Sequence, residues 1–333
     1  MTWGPAWPIK PDFVLEGGNA ILSPSGDVDT PDALSLLTTY RYPLLKPLVT
    51  TGDTSAAAAL AGRMAATLAA RQPDLWPETL RCLLIHSARW TRAMWDTLPN
   101  RLTPKQRKNT LLRRYGWGVP DLERASASAI NELTLIAQRT LHPFKNTSLP
   151  RRAPNIQTRD WHLHHLPWPV EVLEDLGGMD VTLRVTLSYF IEPNPARRGW
   201  VRRHRYQSCG LRFALRNAEE SLADFRARVS KDDQAEGAGR PSFAEPGWTL
   251  GARLRDRGSV HSDIWTGPAA DLAARGLLAV YPVGGWWRER PRLQRWDKAI
   301  RYALTISIFT PDTEIDLYTP VAVQVGIPVE IET

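Results

Sequence analysis

The chain has 333 residues, of which 43% are hydrophobic and 23% are charged, and its formal net charge is +7 at pH 7. These proportions are typical of a soluble globular protein and exclude a disordered or fibrous chain. No uninterrupted run of about 18 apolar residues occurs, which excludes a transmembrane helix. The length favours two domains over a single core.

The first half of the chain predicts loops, short strands and helices. Prolines and glycines separate short apolar pieces over residues 1–50, which favours loops and short strands. The segment from Ser55 to Ala70 is rich in alanine and carries Leu60, Met64 and Leu68 at helical spacing, so we predict a helix that is buried on all sides.

Further elements are expected between this helix and residue 130. A second helix is predicted from Pro77 to about Trp95, because proline is favoured in a first helical turn. The polar and basic residues 100–110 are predicted to form a surface loop, and a short helix is expected from Leu122 to about Ala129.

From about residue 133 onward, apolar and polar residues alternate, which is the pattern of β-strands. With no long helix between the strands, we predict an antiparallel β-sandwich. The charged, glycine-containing stretch 231–240 is predicted to be a mobile loop. The predicted strands are 133–137, 181–191, 206–215, 277–283, 302–309 and 321–329.

Ser55 stands where the alanine-rich helix begins, within Thr51-Gly52-Asp53-Thr54-Ser55. The first N–H groups of a helix have no intrahelical partner, and the helix dipole adds partial positive charge there. Both features would stabilise an oxyanion beside Ser55, and the N–H of Ser55 could serve as one donor. Serine is also an ordinary helix cap, so this segment alone leaves both interpretations open.

Several short motifs in a fixed order bear on that choice. They are Lys10-Pro11-Asp12-Phe13-Val14, Gly17-Gly18, Thr54-Ser55-x-Ala57, Pro73-Asp74-Leu75-Trp76, Tyr115-Gly116-x-Gly118-Val119 and Leu122-x-x-Ala125. Together they resemble the C-terminal third of the subtilisin-like serine peptidases, the subtilases of peptidase family S8. The β-rich half is similar to the β-sandwich that many large bacterial members carry after the peptidase domain.

The resemblance implies a fold, an activity and a site. The fold is an α/β subtilisin-like segment with an incomplete parallel sheet and the nucleophile helix, followed by an all-β antiparallel sandwich. The activity is hydrolysis of peptide bonds through an acyl-enzyme, with Ser55 as nucleophile and its backbone N–H as oxyanion donor. The implied domains are residues 1–135 as the C-terminal part of the peptidase domain, 136–154 as a linker and 155–333 as the sandwich.

The sequence departs from the family pattern around Ser55 and lacks part of the family's triad. Asp53 replaces the glycine that usually precedes the threonine, and Ala59 replaces a proline. The family's catalytic Asp and His precede the serine, but the first 54 residues contain no histidine. We therefore expect this chain to be inactive alone, with Asp and His supplied by a preceding segment, either a separate polypeptide or sequence lost through a frameshift or a mispredicted start.

Other polar residues are weaker candidates for the site than Ser55. Asn19 follows Gly17-Gly18 and invites comparison with the family's oxyanion asparagine, but it comes too late in the family order. His86 follows the nucleophile and is predicted to serve packing or a helix end. No metal ligand is predicted among His162, His164 and His165, because no carboxylate or cysteine stands at ligand spacing. No cofactor is implied, and calcium sites of the family cannot be identified in this sequence.

The remaining expectations concern partners and location. A polypeptide substrate is expected, with no membrane partner. The alternative function is a non-catalytic β-sandwich that recognises a protein or a carbohydrate. Its best support is four tryptophans that are also common core residues, namely Trp265, Trp286, Trp287 and Trp296. Nucleic-acid binding is disfavoured because the basic cluster, Arg197, Arg198, Arg202, Arg203, His204 and Arg205, is predicted to be a solvated hairpin tip. Two distant cysteines and an N-terminus without a secretory signal predict a cytoplasmic protein.

Overall fold

The computed structural model describes residues 9–126, 132–149, 152–195, 207–234, 246–311, 315 and 331–332. The helices are α1 Asp53–Arg71, α2 Pro77–Ser87, α3 Arg92–Asp96, α4 Pro104–Tyr115, α5 Leu122–Ser126, α6 Val170–Asp175, α7 Leu222–Gln234, α8 Ala252–Arg255, α9 Ala269–Ala273 and α10 Trp286–Glu289. The strands are β1 Ile21–Leu22, β2 Val28–Asp29, β3 Leu36–Thr39, β4 Leu48–Thr51, β5 Glu132–Leu141, β6 Phe144–Asn146, β7 Ile156–Thr158, β8 His162–His165, β9 Asp180–Tyr189, β10 Gly210–Leu215, β11 Val260–Pro268, β12 Leu277–Val283, β13 Ile300–Phe309 and β14 Ile331–Glu332.

The contacts divide the chain into two compact units. The N-terminal unit comprises residues 9–75 and 87–126, and the β-rich unit comprises residues 76–86 together with the described residues after 127. This division differs from the expected boundary at residue 135, because most of α2 belongs to the β-rich unit. Part of the expected linker, residues 136–154, is also regular structure. Strand β5 extends into it as far as Leu141, and β6 lies wholly within it.

The N-terminal unit contains two small antiparallel hairpins and helices α1, α3, α4 and α5. Strand β1 pairs with β2, and β3 pairs with β4. The segment around Asp12 runs beside the turn at Gly118, where Trp117 N–H donates to Asp12 O at 2.9 Å and Val14 N–H donates to Gly118 O at 2.9 Å. Gly118 has φ of 98°, and a Cβ there would collide with the backbone of Arg89, so only glycine fits.

Two expected element bounds were wrong. The helix predicted from Pro77 to about Trp95 ends at Ser87, and α3 follows it as a separate helix. Residues 100–110 are not a surface loop over their whole length, because α4 begins at Pro104. Thr103 and Gln106 form a capping box, in which the Thr103 hydroxyl accepts from Gln106 N–H and the Gln106 side chain accepts from Thr103 N–H. Caps of this kind stabilise the start of a helix by about 1 kcal/mol. The loop was predicted from the polarity of these residues alone, without considering the capping box.

The β-rich unit contains two four-stranded sheets, with the orders β11-β9-β13-β5 and β10-β12-β8-β14. Every strand pair among the described residues is antiparallel. The chain is thus a mixed α/β protein with several antiparallel sheets. The parallel sheet implied by the resemblance is not formed by the described residues.

Alternating residues of β9 explain how the first sheet is buried on both faces. Leu183, Val185 and Leu187 belong to a hydrophobic cluster that also includes residues of β10, β12 and β13. The intervening Arg184, Thr186 and Ser188 point to the other face, because neighbouring side chains of a strand alternate. This second face is polar and nevertheless buried, with helix α2 packed upon it.

The predicted strands and loops can be compared with these elements. The expected strand over 277–283 is confirmed as β12, and those near 133, 181, 206 and 302 are confirmed with shifted ends as β5, β9, β10 and β13. The mobile loop expected over 231–240 is wrong for residues 231–234, which end helix α7. Residues 235–240, the strand 321–329 and the basic cluster 197–205 lie outside the described residues.

Candidate active site

Ser55 lies in the first turn of α1, directly after strand β4 and Gly52. Gly52 is the N-cap, with φ of −150°, and no side chain caps the helix. The interpretation of Ser55 as an ordinary N-cap therefore does not hold, since the cap lies three positions earlier. Ser55 is exposed, and its hydroxyl has no hydrogen-bond partner within the described part of the chain.

The backbone before Ser55 keeps the conformation that glycine favours. Asp53 has φ of 65°, in the left-handed region that aspartate tolerates better than most residues. The Asp53 N–H donates to Gly17 O at 2.6 Å. A Cβ on Gly17 would come within 2.8 Å of Asp53 O, so this close approach requires glycine. The segment at Gly17 thereby supports the strand-to-helix turn that presents Ser55.

Asn19 has a local role in this unit. Its side-chain oxygen accepts a hydrogen bond from Ala20 N–H at 2.9 Å, and its own N–H donates to Leu34 O at 2.9 Å. The residue is exposed. These contacts fix a turn beside the Gly17-Gly18 pair, and they agree with the structural role expected for Asn19.

The expectation that α1 is buried on all sides is wrong. Only Ala56, Met64 and Leu68 of its 19 residues are buried. The exposed side begins at Ser55 and continues through small residues at helical spacing, which are Ala58, Ala59, Gly62, Ala66 and Ala70. Small size therefore misled the prediction, because alanine stabilises a helix by propensity without requiring burial.

His86 lies in the β-rich unit and contacts two hydroxyl groups. Its Nδ1 lies 2.8 Å from Thr186 Oγ1, and its Nε2 lies 2.7 Å from Ser307 Oγ. The side chain is only 3% exposed. With both ring nitrogens hydrogen-bonded inside the unit, His86 has the packing role that its position on α2 predicts.

The histidines of β8 meet a tyrosine. His162 Nδ1 and His164 Nε2 lie 2.7 Å and 2.8 Å from the Tyr302 hydroxyl, and both imidazoles are buried. Burial is the main cause that lowers the pKa of both, to about 3 for His164. One hydroxyl can donate to one neutral imidazole and accept from the other, which suits two uncharged histidines. His165 is exposed, and no group of metal-ligating side chains occurs among the described residues.

Two features of the β-rich unit could not be foreseen from the sequence. Arg255 pairs with both Asp256 and Asp263, at 3.3 Å and 3.7 Å, and burial raises the pKa of Asp263 to about 6. A pocket of about 420 Å³ is the second of these features. The residues that line it are Gln157, Thr158, Arg159, Trp161, Val229, Ser230, Tyr281 and Arg288. Its residues come from separate segments, and only their charge and aromatic character could have drawn attention to them.

The tryptophans that suggested an aromatic binding surface lie in the interior. Trp265, Trp286 and Trp287 are 2%, 1% and 5% exposed, and Trp296 is partly buried against the same hydrophobic cluster. Trp286 Nε1 and Trp287 Nε1 donate to the backbone oxygen and side chain of Glu192. These residues therefore stabilise the core and do not form an exposed binding surface.

A serine presented in the first turn after a strand-to-helix turn is an arrangement that serine hydrolases use. Residues 2–118 match the family model of the subtilases, peptidase family S8. This segment is a subtilisin-like serine peptidase segment, as the order of motifs predicted. The match includes Ser55 and α2 and ends before α5, so residues 119–333 lie outside it. No curated protein matches the chain.

No helix among the described residues is long and apolar enough to cross a membrane.

Proposed function

We propose that Ser55 is the nucleophile of a serine endopeptidase. The observation that carries the proposal is the subtilase match over residues 2–118, together with an exposed Ser55 in the first turn of α1. Its own N–H lies in the first turn of α1, where N–H groups have no intrahelical partner, and it supplies one oxyanion donor. The substrate is a polypeptide, and neither a metal nor an organic cofactor takes part.

The reaction has two stages. The Ser55 Oγ attacks the scissile carbonyl carbon while a base takes its proton, and the amine leaves with that proton as the acyl-enzyme forms. Water then attacks the ester, the base again takes a proton, and the Ser55 Oγ is released when the proton returns. Each stage needs a base, and none contacts the Ser55 hydroxyl among the described residues.

We further propose that another segment, carrying the family's Asp and His, completes the site. Serine is a poor nucleophile without a base that a carboxylate orients, so the chain alone is inactive. The large exposed side of α1, from Ser55 to Ala70, supports this proposal because a helix of small apolar residues offers a surface for close packing.

Three finer points belong to the same proposal. The two four-stranded sheets form a β-sandwich, which the shared hydrophobic cluster supports. This sandwich, which includes β5 and therefore begins before residue 155, corresponds to the C-terminal domain that large bacterial subtilases carry. The protein is cytoplasmic, as its sparse cysteines favour.

The test uses the chain with and without a related segment that carries Asp, His and the oxyanion Asn. The chain alone should neither cleave a peptide nor react with a fluorophosphonate probe, whereas the two segments together should do both. Ser55→Ala should abolish cleavage and labelling but preserve assembly, and Ser25→Ala, at another exposed serine of the same unit, should preserve all three. Unchanged cleavage by the Ser55→Ala complex would refute the nucleophile assignment.

The second candidate function is a binding module in the β-rich unit. The core position of the tryptophans removes its first support, but the pocket lined by Trp161, Tyr281, Arg159 and Arg288 offers a place for a ligand. An aromatic wall beside arginines suits a sugar or an acidic peptide end. Ligand binding that Trp161→Ala abolishes and Ser55→Ala leaves intact would favour this function.

A further inference from the structure

The hairpin formed by β3 and β4 carries an unusual apolar tip. Leu44 is 100% exposed and Leu45 is 79% exposed, the two highest values among the exposed large apolar side chains of the described residues. The tip is held by its own backbone, since Leu45 N–H and Lys46 N–H both donate to Tyr42 O and Tyr40 N–H donates to Pro47 O at 3.1 Å. We name residues 40–47 the apolar tip.

Aromatic and cationic residues flank the leucines in the sequence of the tip. The rings of Tyr40 and Tyr42 meet edge to face at 5.9 Å. The Arg41 guanidinium lies 4.3 Å from the centre of the Tyr42 ring, and the Lys46 ammonium lies 4.9 Å from that of Tyr40. The tip therefore combines two exposed leucines with tyrosines that contact cations.

Charge distinguishes what this tip can bind. Between Asp32 and Asp53 the sequence has no acidic residue, and its only charged residues are Arg41 and Lys46. Two exposed leucines at a hairpin tip offer apolar area that can enter the outer acyl region of a bilayer. Tyrosines favour the interface between lipid and water, and cations are attracted to anionic headgroups.

We propose that the apolar tip docks the protein on anionic lipid surfaces, with Leu44 and Leu45 inserted and Arg41 and Lys46 at the headgroups. The expectation that no membrane partner exists followed from the absence of a spanning segment, which does not bear on such peripheral contact. The docking does not involve Ser55, so an experiment can refute it without refuting the proposed peptidase activity.

The experiment measures sedimentation of the full chain with vesicles of phosphatidylcholine, with or without phosphatidylserine. The wild-type chain should sediment mainly with the anionic vesicles, and added salt should weaken this binding. Leu44→Ser with Leu45→Ser should reduce the affinity by about tenfold or more, because the inserted apolar area is lost. Arg41→Gln with Lys46→Gln should remove most of the preference for phosphatidylserine.

Leu149→Ser is the matched control, because Leu149 is a 61% exposed leucine in the β-rich unit. It should leave vesicle binding unchanged. The leucines of the tip are exposed, so their variants should keep the wild-type circular dichroism spectrum and melting temperature. The proposal is overturned if the wild-type chain does not sediment, if the tip variant binds like the wild type, or if Leu149→Ser weakens binding equally. Self-association through the tip without vesicle binding would instead indicate a protein contact and would also overturn it.

Discussion

Helix α1 has 19 residues and buries only Ala56, Met64 and Leu68, whereas α2 has 11 residues and buries nearly its whole second half. Both helices lie within the subtilase match. They differ in what holds them. Helix α1 depends on alanine propensity and one narrow buried stripe, while α2 is fixed by tertiary contacts inside the β-rich unit.

The contacts of α2 are specific polar bonds as well as packing. Arg81 donates to Ser188 Oγ at 2.9 Å, Tyr189 O at 2.6 Å and Ser259 O at 2.9 Å. Arg184 donates in return to Ile85 O at 2.8 Å. A helix that lies within the subtilase match is thus part of the compact β-rich unit. The family boundary and the boundary of the folded unit do not coincide.

The largest predicted effect concerns a fragment of residues 155–333. The resemblance implies that these residues form a separate sandwich domain. The structure argues against that, because the fragment lacks α2 and also β5, which pairs with β13 over 10 residues. Loss of α2 would expose the polar face of the sheet, and loss of β5 would expose the edge of β13. We expect insoluble protein or no cooperative unfolding transition by circular dichroism.

Two related samples separate these contributions. A fragment of residues 127–333 retains β5, and a synthetic peptide of residues 76–87 restores α2 in trans. We expect the peptide to raise the melting temperature of this fragment. A soluble and cooperatively folding fragment 155–333 would show that α2 and β5 are dispensable.

A smaller effect is expected when single arginines of the two helices are compared. Arg81→Ala on α2 should lower the free energy of unfolding by about 2–4 kcal/mol, because several acceptors lose a charged donor. Arg63→Ala on the exposed side of α1 should change it by less than about 0.5 kcal/mol. Urea denaturation of both variants measures the difference, and equal effects would contradict the contrast between the helices.

The smallest predicted effect is stabilising and lies on α1. Gly62 is exposed, and a Cβ added there meets no atom within 4 Å. Gly62→Ala should therefore raise the free energy of unfolding by roughly 0.5–1 kcal/mol through helix propensity. Gly118→Ala is the contrasting variant and should destabilise, since its Cβ would meet the Arg89 backbone. A destabilising Gly62→Ala, measured by thermal unfolding, would mean that the exposed side of α1 is already covered.

Part of the candidate site was predictable because its signals are local. The Thr54-Ser55-x-Ala57 motif and the alanine run predicted the helix and the serine at its start, and α1 is observed from Asp53 to Arg71. The left-handed conformation of Asp53 was not predictable, because a glycine would have indicated a positive φ, whereas aspartate usually has a negative φ. Whether Ser55 acts as the nucleophile stays a prediction.

Sequence by itself determined the local elements: alternating residues gave β9 and β13, alanine gave α1, and ordered motifs gave the subtilase segment. Only the tertiary structure decided what the polar residues of those strands face. Arg184, Thr186 and Ser188 are polar, yet they are buried beneath α2. A polar face can be buried only when a segment distant in sequence supplies matching hydrogen-bond donors and acceptors. The residue spacing within either segment does not predict which segments will pair in this way.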